Sequence, residues 1–182
     1  MLETIISLCV LALFIFIASS IVFYSSKNGI TPAPILDKGK RGLLGLLAGK
    51  KVNGKIYELG SGWGTLAFAL AKQYAHCNVI GYENSIVPFL FSQISNMFRG
   101  LGNLKLVRKD FYTTSLNDAD LVVCYLYTGA MAKLRTKFES ELKKGAIVVS
   151  HTFAIPYWKP VEEIVLDDIY RTKVYLYVVD GR

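Results

Sequence analysis

Two unlike hydrophobic patterns divide the chain. Residues 5–24, IISLCVLALFIFIASSIVFY, carry no charged side chain, and apolar positions fall on every face of the helix they would form. Helices of soluble domains seldom stay apolar all round over that length. Twenty helical residues span about 30 Å, the thickness of a bilayer core. A signal peptide would open with Lys or Arg ahead of a shorter run, whereas the only charged side chain before this one is Glu3. Residues 1–26 therefore read as an uncleaved transmembrane anchor. Lys27, Lys38, Lys40 and Arg41 follow it, and the positive-inside bias puts the rest of the chain on the cytoplasmic side of a single-pass membrane protein.

Beyond the anchor the pattern changes twice. Residues 27–51 read as a juxtamembrane linker, stiffened by Pro32 and Pro34 and punctuated by glycines, with a short helix in LLGLLAG at 43–49. From there to residue 182 short apolar runs alternate with amphipathic ones. Strands are predicted at 55–59, 78–82, 104–108, 119–125 and 146–150, and helices at 65–74, 88–99 and 130–142. ADLVVCY at 119–125 is nearly all apolar, as a strand covered on both faces should be. The last two strands, 162–166 and 173–179, are too close for a crossover helix and suit an antiparallel hairpin. The prediction is a doubly wound, Rossmann-like α/β domain over 52–182, with ligands beyond the carboxyl ends of its strands.

The first strand runs into YELGSGWGTL. Gly60, Gly62 and Gly64 sit where a strand turns into a helix, the context in which a glycine pattern carries meaning. A nicotinamide fingerprint needs its third glycine three residues after the second, and here that position is Thr65; a P-loop needs Gly-Lys-Ser/Thr, which is absent. S-adenosylmethionine fits better. Its carboxylate suits the free N–H groups opening a helix, and its positive groups are better tolerated beside an acid than beside a lysine. Glu58 ends strand one. Glu83, ending strand two, stands 23 residues after Gly60, where a carboxylate accepts both ribose hydroxyls. Asp110 and Phe111 follow strand three and suit the adenine amino group and ring face.

ELGSGWG, VIGYENS and RKDFY resemble the successive cofactor motifs of class I, seven-strand methyltransferases. The resemblance adds Ser61 and Asn84 to the cofactor set and implies a sheet in the order 3-2-1-4-5-7-6. A membrane span, TPAP, this core and then GAIVVSHTFAIPYWKP are similar to the membrane-anchored lysine methyltransferases that act on the ATP synthase c subunit and the adenine nucleotide translocase. That likeness implies methyl transfer to a lysine of a membrane-associated protein. Two positions depart from it: relatives often carry Asp in place of Trp63 and of Glu58. The second change keeps the charge; the first leaves Trp63 as either a lid or a bulky loop residue.

For the acceptor, CYLYTG after strand four is not the Asn-Pro-Pro-Tyr of planar-nitrogen methylation, and Cys124 reads as core and not as a nucleophile. Direct displacement remains. A lysine amine must be neutral to attack, and apolar, aromatic surroundings lower its pKa. Tyr125, Tyr127, His151, Phe153, Tyr157 and Trp158, following strands four and five, are the candidates for the acceptor pocket. Each has a plainer reading, as core, structural histidine or packed loop. No metal-ligand spacing is present. All 21 Lys and Arg follow the span, as does every acid but Glu3, a surplus of eight positive charges. With an anchor in place this basic surface faces anionic lipid headgroups; nucleic acid is not the expected partner. The competing functions are methylation of a lipid-phase small molecule, a quinone or lipid headgroup, and a cofactor-binding module without turnover.

Overall fold

The computed structural model describes residues 1–180; the last two residues of the expected domain lie outside it. Helix α1, Leu2–Asn28, is followed by α2, Asp37–Leu46. Then come β1 (Lys55–Leu59), α3 (Thr65–Gln73), β2 (Asn78–Glu83), α4 (Ile86–Arg99) and β3 (Leu104–Arg108). A 3-10 turn at Phe111–Thr113 leads to β4 (Ala119–Cys124), α5 (Thr128–Glu141), β5 (Ile147–His151), β6 (Glu162–Val165) and β7 (Lys173–Val178). The seven strands form one sheet in the order β3-β2-β1-β4-β5-β7-β6. The first five are parallel, and β7 runs antiparallel to both β5 and β6. This is the order the motifs imply.

The central strands are apolar because both faces are covered. Leu121 and Val123 of β4 point into a core shared with α2 and α3, while Val122 and Cys124 point into the core beneath α5. In α3, Leu66, Ala67, Leu70 and Ala71 form the inward stripe that a 3.6-residue period demands. Parallel pairing sets Glu58 beside Gly81 and Glu83 beside Arg108, so the strand-end acids share one edge of the sheet.

Helix boundaries depart from the sequence expectation where close packing decides them. The short helix is α2 at Asp37–Leu46, six residues earlier than LLGLLAG, and it includes two glycines taken above as linker punctuation. A Cβ on Gly39 would stand 2.6 Å from His151 Nε2, and one on Gly42 would stand 2.2 Å from Leu166 Cδ2. These glycines let α2 lie against the sheet; their helical cost of about 1 kcal/mol each is offset by that contact. Helix α4 starts at Ile86, with Pro88 tolerated in its first turn. Helix α1 is long and apolar enough to cross a bilayer, and none of its residues is buried against the other described residues.

Candidate active site

At the carboxyl ends of β1 to β4 lies a cavity of about 660 Å³, within the range of small-molecule sites. Its floor is the turn after β1. Gly60, Gly62 and Gly64 adopt φ of 78°, 51° and 81°, values that L side chains rarely reach. The Gly60 and Ser61 N–H groups both donate to the Tyr82 carbonyl, at 2.9 and 2.8 Å. A Cβ on Gly60 would press on Leu126 Cδ2 at 2.8 Å, whereas one on Gly62 would meet nothing within 4 Å. Helix α3 opens behind this loop without a side-chain cap, leaving its first N–H groups directed at the cavity end of the helix. Gly64 is its N-cap and does not itself line the cavity.

Glu83 locks the loop in place. One carboxylate oxygen accepts from the Gly62 N–H at 2.8 Å, the other from the Ser85 N–H at 2.7 Å. Each oxygen keeps a second lone pair. Glu58, one strand over, is buried, and its Oε2 has no partner among the described residues. Burial, and then the nearby Glu83 carboxylate, push the Glu58 carboxyl well above the usual range, with the Ala67 N–H pulling the other way. Ser61 Oγ is likewise buried and unpartnered. Orphaned polar atoms on a cavity floor call for a polar ligand. A zwitterionic, positively charged donor fits this floor: it supplies an ammonium for the acid and a carboxylate for the N–H groups. Asp110 and Phe111 both line the cavity. Asp110 is exposed and caps the 3-10 turn by accepting from the Tyr112 N–H at 2.9 Å. Phe111 packs on Tyr112 with centroids 4.5 Å apart, and burial raises the Tyr112 hydroxyl to about 12.

The outer wall is a part of the chain that the motifs do not reach. Residues 27, 28 and 30–35, the end of α1 and the proline segment, line the same cavity. Asn28 and Asn84 exchange amide hydrogen bonds of 2.8 and 2.9 Å across 56 residues of sequence, so Asn84 reaches the cavity as a clasp for α1. Trp63 donates its indole N–H to the Pro32 carbonyl at 2.7 Å and packs edge-on against Phe91 at 5.4 Å. Trp63 is therefore the bolt between glycine loop and linker. The proline pair was the only sequence signal: an extended segment with free carbonyls suits a wall.

On the acceptor side, Tyr125, Tyr127 and Phe153 line the cavity together with Leu126, Thr152 and Lys133. His151 stands one layer back. Its ring meets Tyr125 edge-on at 4.7 Å, its Nδ1 lies 2.8 Å from Thr152 Oγ1, and its Nε2 is buried without a partner among the described residues. Burial holds the imidazole below its ordinary value, against a weaker upward pull from Asp168. Two of the expected pocket residues are elsewhere. Tyr157 is 93% exposed with Arg135 over its ring, and Trp158 packs on Phe138 and Tyr177 while donating to Glu139. Ile155 is buried in the core beneath α5 and donates its N–H to the Tyr177 hydroxyl, which leads the chain after Phe153 away from the cavity. Cys124 is fully buried, and burial raises its thiol, which suits core and not attack.

Comparison with known proteins agrees with this geometry. Residues 58–162 match the family model of the ANTKMT methyltransferase domain. A protein-lysine N-methyltransferase of Saccharolobus islandicus is 32% identical over 126 residues, 68% of this chain and 78% of that protein. The adenine nucleotide translocase lysine N-methyltransferase of Mus musculus is 34% identical over 122 residues, 65% of this chain but 51% of that protein, so this match spans about half of the mouse enzyme. Among solved structures, an RNA methyltransferase from Salinibacter ruber in complex with S-adenosyl-L-homocysteine shares the fold. Its TM-score is 0.70 at 21% identity, over 82% of this chain and 95% of that one. The strand-end acids, the glycine turn and the family match converge: this chain belongs to the ANTKMT methyltransferase domain family and is an S-adenosylmethionine-dependent methyltransferase.

Proposed function

We propose that the chain methylates a lysine side chain of a membrane-associated protein, from a position tethered to the membrane by α1. The observation that carries this reading is the shared wall: the residues that leave α1 are the residues that close the cofactor cavity. An acceptor must approach beside the foot of a helix that is apolar on every face. The relatives named for protein-lysine methylation support lysine as the acceptor.

S-adenosylmethionine brings a methyl group already activated by its positive sulfur, so the protein's work is alignment and exclusion of water. In this reading Glu83 and Asp110 take the ribose and adenine, and the helix-opening N–H groups the carboxylate. Glu58 faces the positive end, where its carboxyl ionises at the cost of a proton released on binding. Tyr125, Tyr127 and Phe153 give the acceptor an aromatic slot. Lys133, at the same cavity, adds a like charge that disfavours the ammonium form of an incoming lysine and so favours the neutral nucleophile. His151 orients Tyr125 from behind.

The test is to incubate the full chain with methyl-labelled S-adenosylmethionine and membranes from a strain lacking the protein. Label in a discrete protein band, recovered as methyl-lysine, supports the reading. Label in the organic extract assigns a lipid-phase small molecule instead, and no label in either fraction points to a binding module.

A further inference from the structure

Beyond its first turn, helix α4 turns polar residues inward and apolar ones outward. Its polar residues face the protein: Gln93 Nε2 donates to the Leu106 carbonyl at 3.0 Å, Asn96 reaches the Leu104 carbonyl, and Ser92 is buried. Pro88 and Phe89 in its first turn pack inward, but most of its remaining large apolar residues face outward. Leu90, Phe91, Ile94, Met97 and Phe98 fall on one stripe at helical spacing and are 50 to 88% exposed. In α3 and α5 the apolar stripe is buried. A contiguous outward patch of five large apolar side chains marks an interaction surface.

We propose that this face of α4 lies in the headgroup layer of an anionic bilayer, the same bilayer that α1 enters. The inference rests on the anchor reading and adds to it a second, in-plane contact. Three observations select lipid as the occupant. First, α4 touches α1: Arg108 donates to the Tyr24 hydroxyl at 3.2 Å and to the Asn84 carbonyl at 3.4 Å, tying the end of α1 to the turn that opens α4. Second, residues 84–109, the helix and its flanks, contain Arg99, Lys105, Arg108 and Lys109 and no acid, the composition an anionic surface attracts. Third, the apolar stripe beside basic flanks is the pattern of an interfacial helix. Seated in this way, Phe91 carries Trp63, so the rim of the cofactor cavity stands one aromatic contact from the lipid and the cavity mouth is held near the membrane plane.

The test uses the full chain reconstituted into phosphatidylcholine–phosphatidylglycerol vesicles, with single nitroxide labels read for collision with oxygen and with a water-soluble nickel complex. Labels go on the native Cys9 in α1 and, in a Cys9→Ala background, on Ile94→Cys, Met97→Cys and the remote Lys144→Cys. Met97 and Lys144 are exposed, so labelling should leave the fold intact. The expected result is nickel accessibility at positions 94 and 97 about five-fold or more below that at 144, with oxygen accessibility raised. Protection at Cys9 with positions 94 and 97 as accessible as 144 overturns the proposal and leaves the anchor standing. Nickel access at Cys9 itself overturns the anchor and the proposal together. Protection at 97 that is lost when protein is diluted in lipid assigns the face to a second copy of the chain, and also overturns it.

Discussion

The floor of the cavity is held by backbone bonds and one strand-end carboxylate, and its outer wall by side-chain bonds between segments distant in sequence. On the floor, the Gly60 and Ser61 N–H groups close on the Tyr82 carbonyl, and Glu83 ties Gly62 to Ser85. The wall at residues 30–35 has neither helix nor strand. Its end is fixed by Ile35, buried in the core, while residues 30–34 stay in place through the Trp63 bond to Pro32 and, at their foot, the reciprocal amides of Asn28 and Asn84. A floor of this kind is rigid before any ligand arrives. A wall hung on a few side-chain bonds opens at a cost of about 1 kcal/mol per bond, low enough for exchange of donor and product.

The largest break in that comparison is Glu83→Ala. It leaves two N–H groups without their acceptor and removes the candidate ribose partner. Affinity for S-adenosylhomocysteine, by calorimetry, should fall by about 30- to 1000-fold, the equivalent of roughly 2–4 kcal/mol. A loss under about three-fold would remove the acid from the site. Next is Gly60→Ala, where a positive φ costs about 1–2 kcal/mol and the new methyl meets Leu126. About a ten-fold loss of affinity is expected, recovered only in part by Leu126→Ala, because the second change relieves the contact and not the dihedral strain. Trp63→Phe keeps the ring against Phe91 and deletes the bond to Pro32. The Michaelis constant for the donor should rise about 3- to 10-fold. Amide exchange at residues 30–35 should accelerate while that of the glycine loop does not, and equal acceleration in both would dissolve the distinction between wall and floor.

The smallest effect concerns Glu58. Its folded-state pKa is raised, so its contribution to stability is fully present below the unfolded value of about 4.3 and is lost as pH rises through the folded value. Glu58→Gln mimics the neutral acid. Without donor, its Tm should fall less between pH 5 and 8 than that of the wild type, by about 2–4 °C. A parallel pair of curves would mean that Glu58 is not buried as an acid.

The floor was legible because its chemistry is local. A strand, three glycines and an acid at the end of each neighbouring strand are contiguous motifs, and parallel pairing carries them to one edge. The wall was not legible, since Asn28 and Asn84 meet across 56 residues and nothing in either neighbourhood names the other. Glycines in α2 read as punctuation because a helix–sheet contact is invisible along the chain; Gly39 is required by His151, over a hundred residues later. Tyr157 and Trp158 looked like site residues by their distance from β5, but burial of Ile155 beneath α5 leads the loop away from the cavity before it reaches them. Phe111, Tyr125 and Tyr127 line the cavity because each lies within a few residues of a strand end, too close for the chain to turn away.

Alternation of apolar runs, and the residue types at the strand ends, were enough by themselves to determine a Rossmann-like sheet and a site for a sulfonium donor, since both follow from short-range periodicity and spacing. Only the tertiary structure decided that the segment leaving α1 closes that site, that His151 supports Tyr125 from behind, and that α4 turns its apolar face outward. Those outcomes depend on which distant surfaces meet, and the side-chain contacts that settle them have no counterpart in the order of residues.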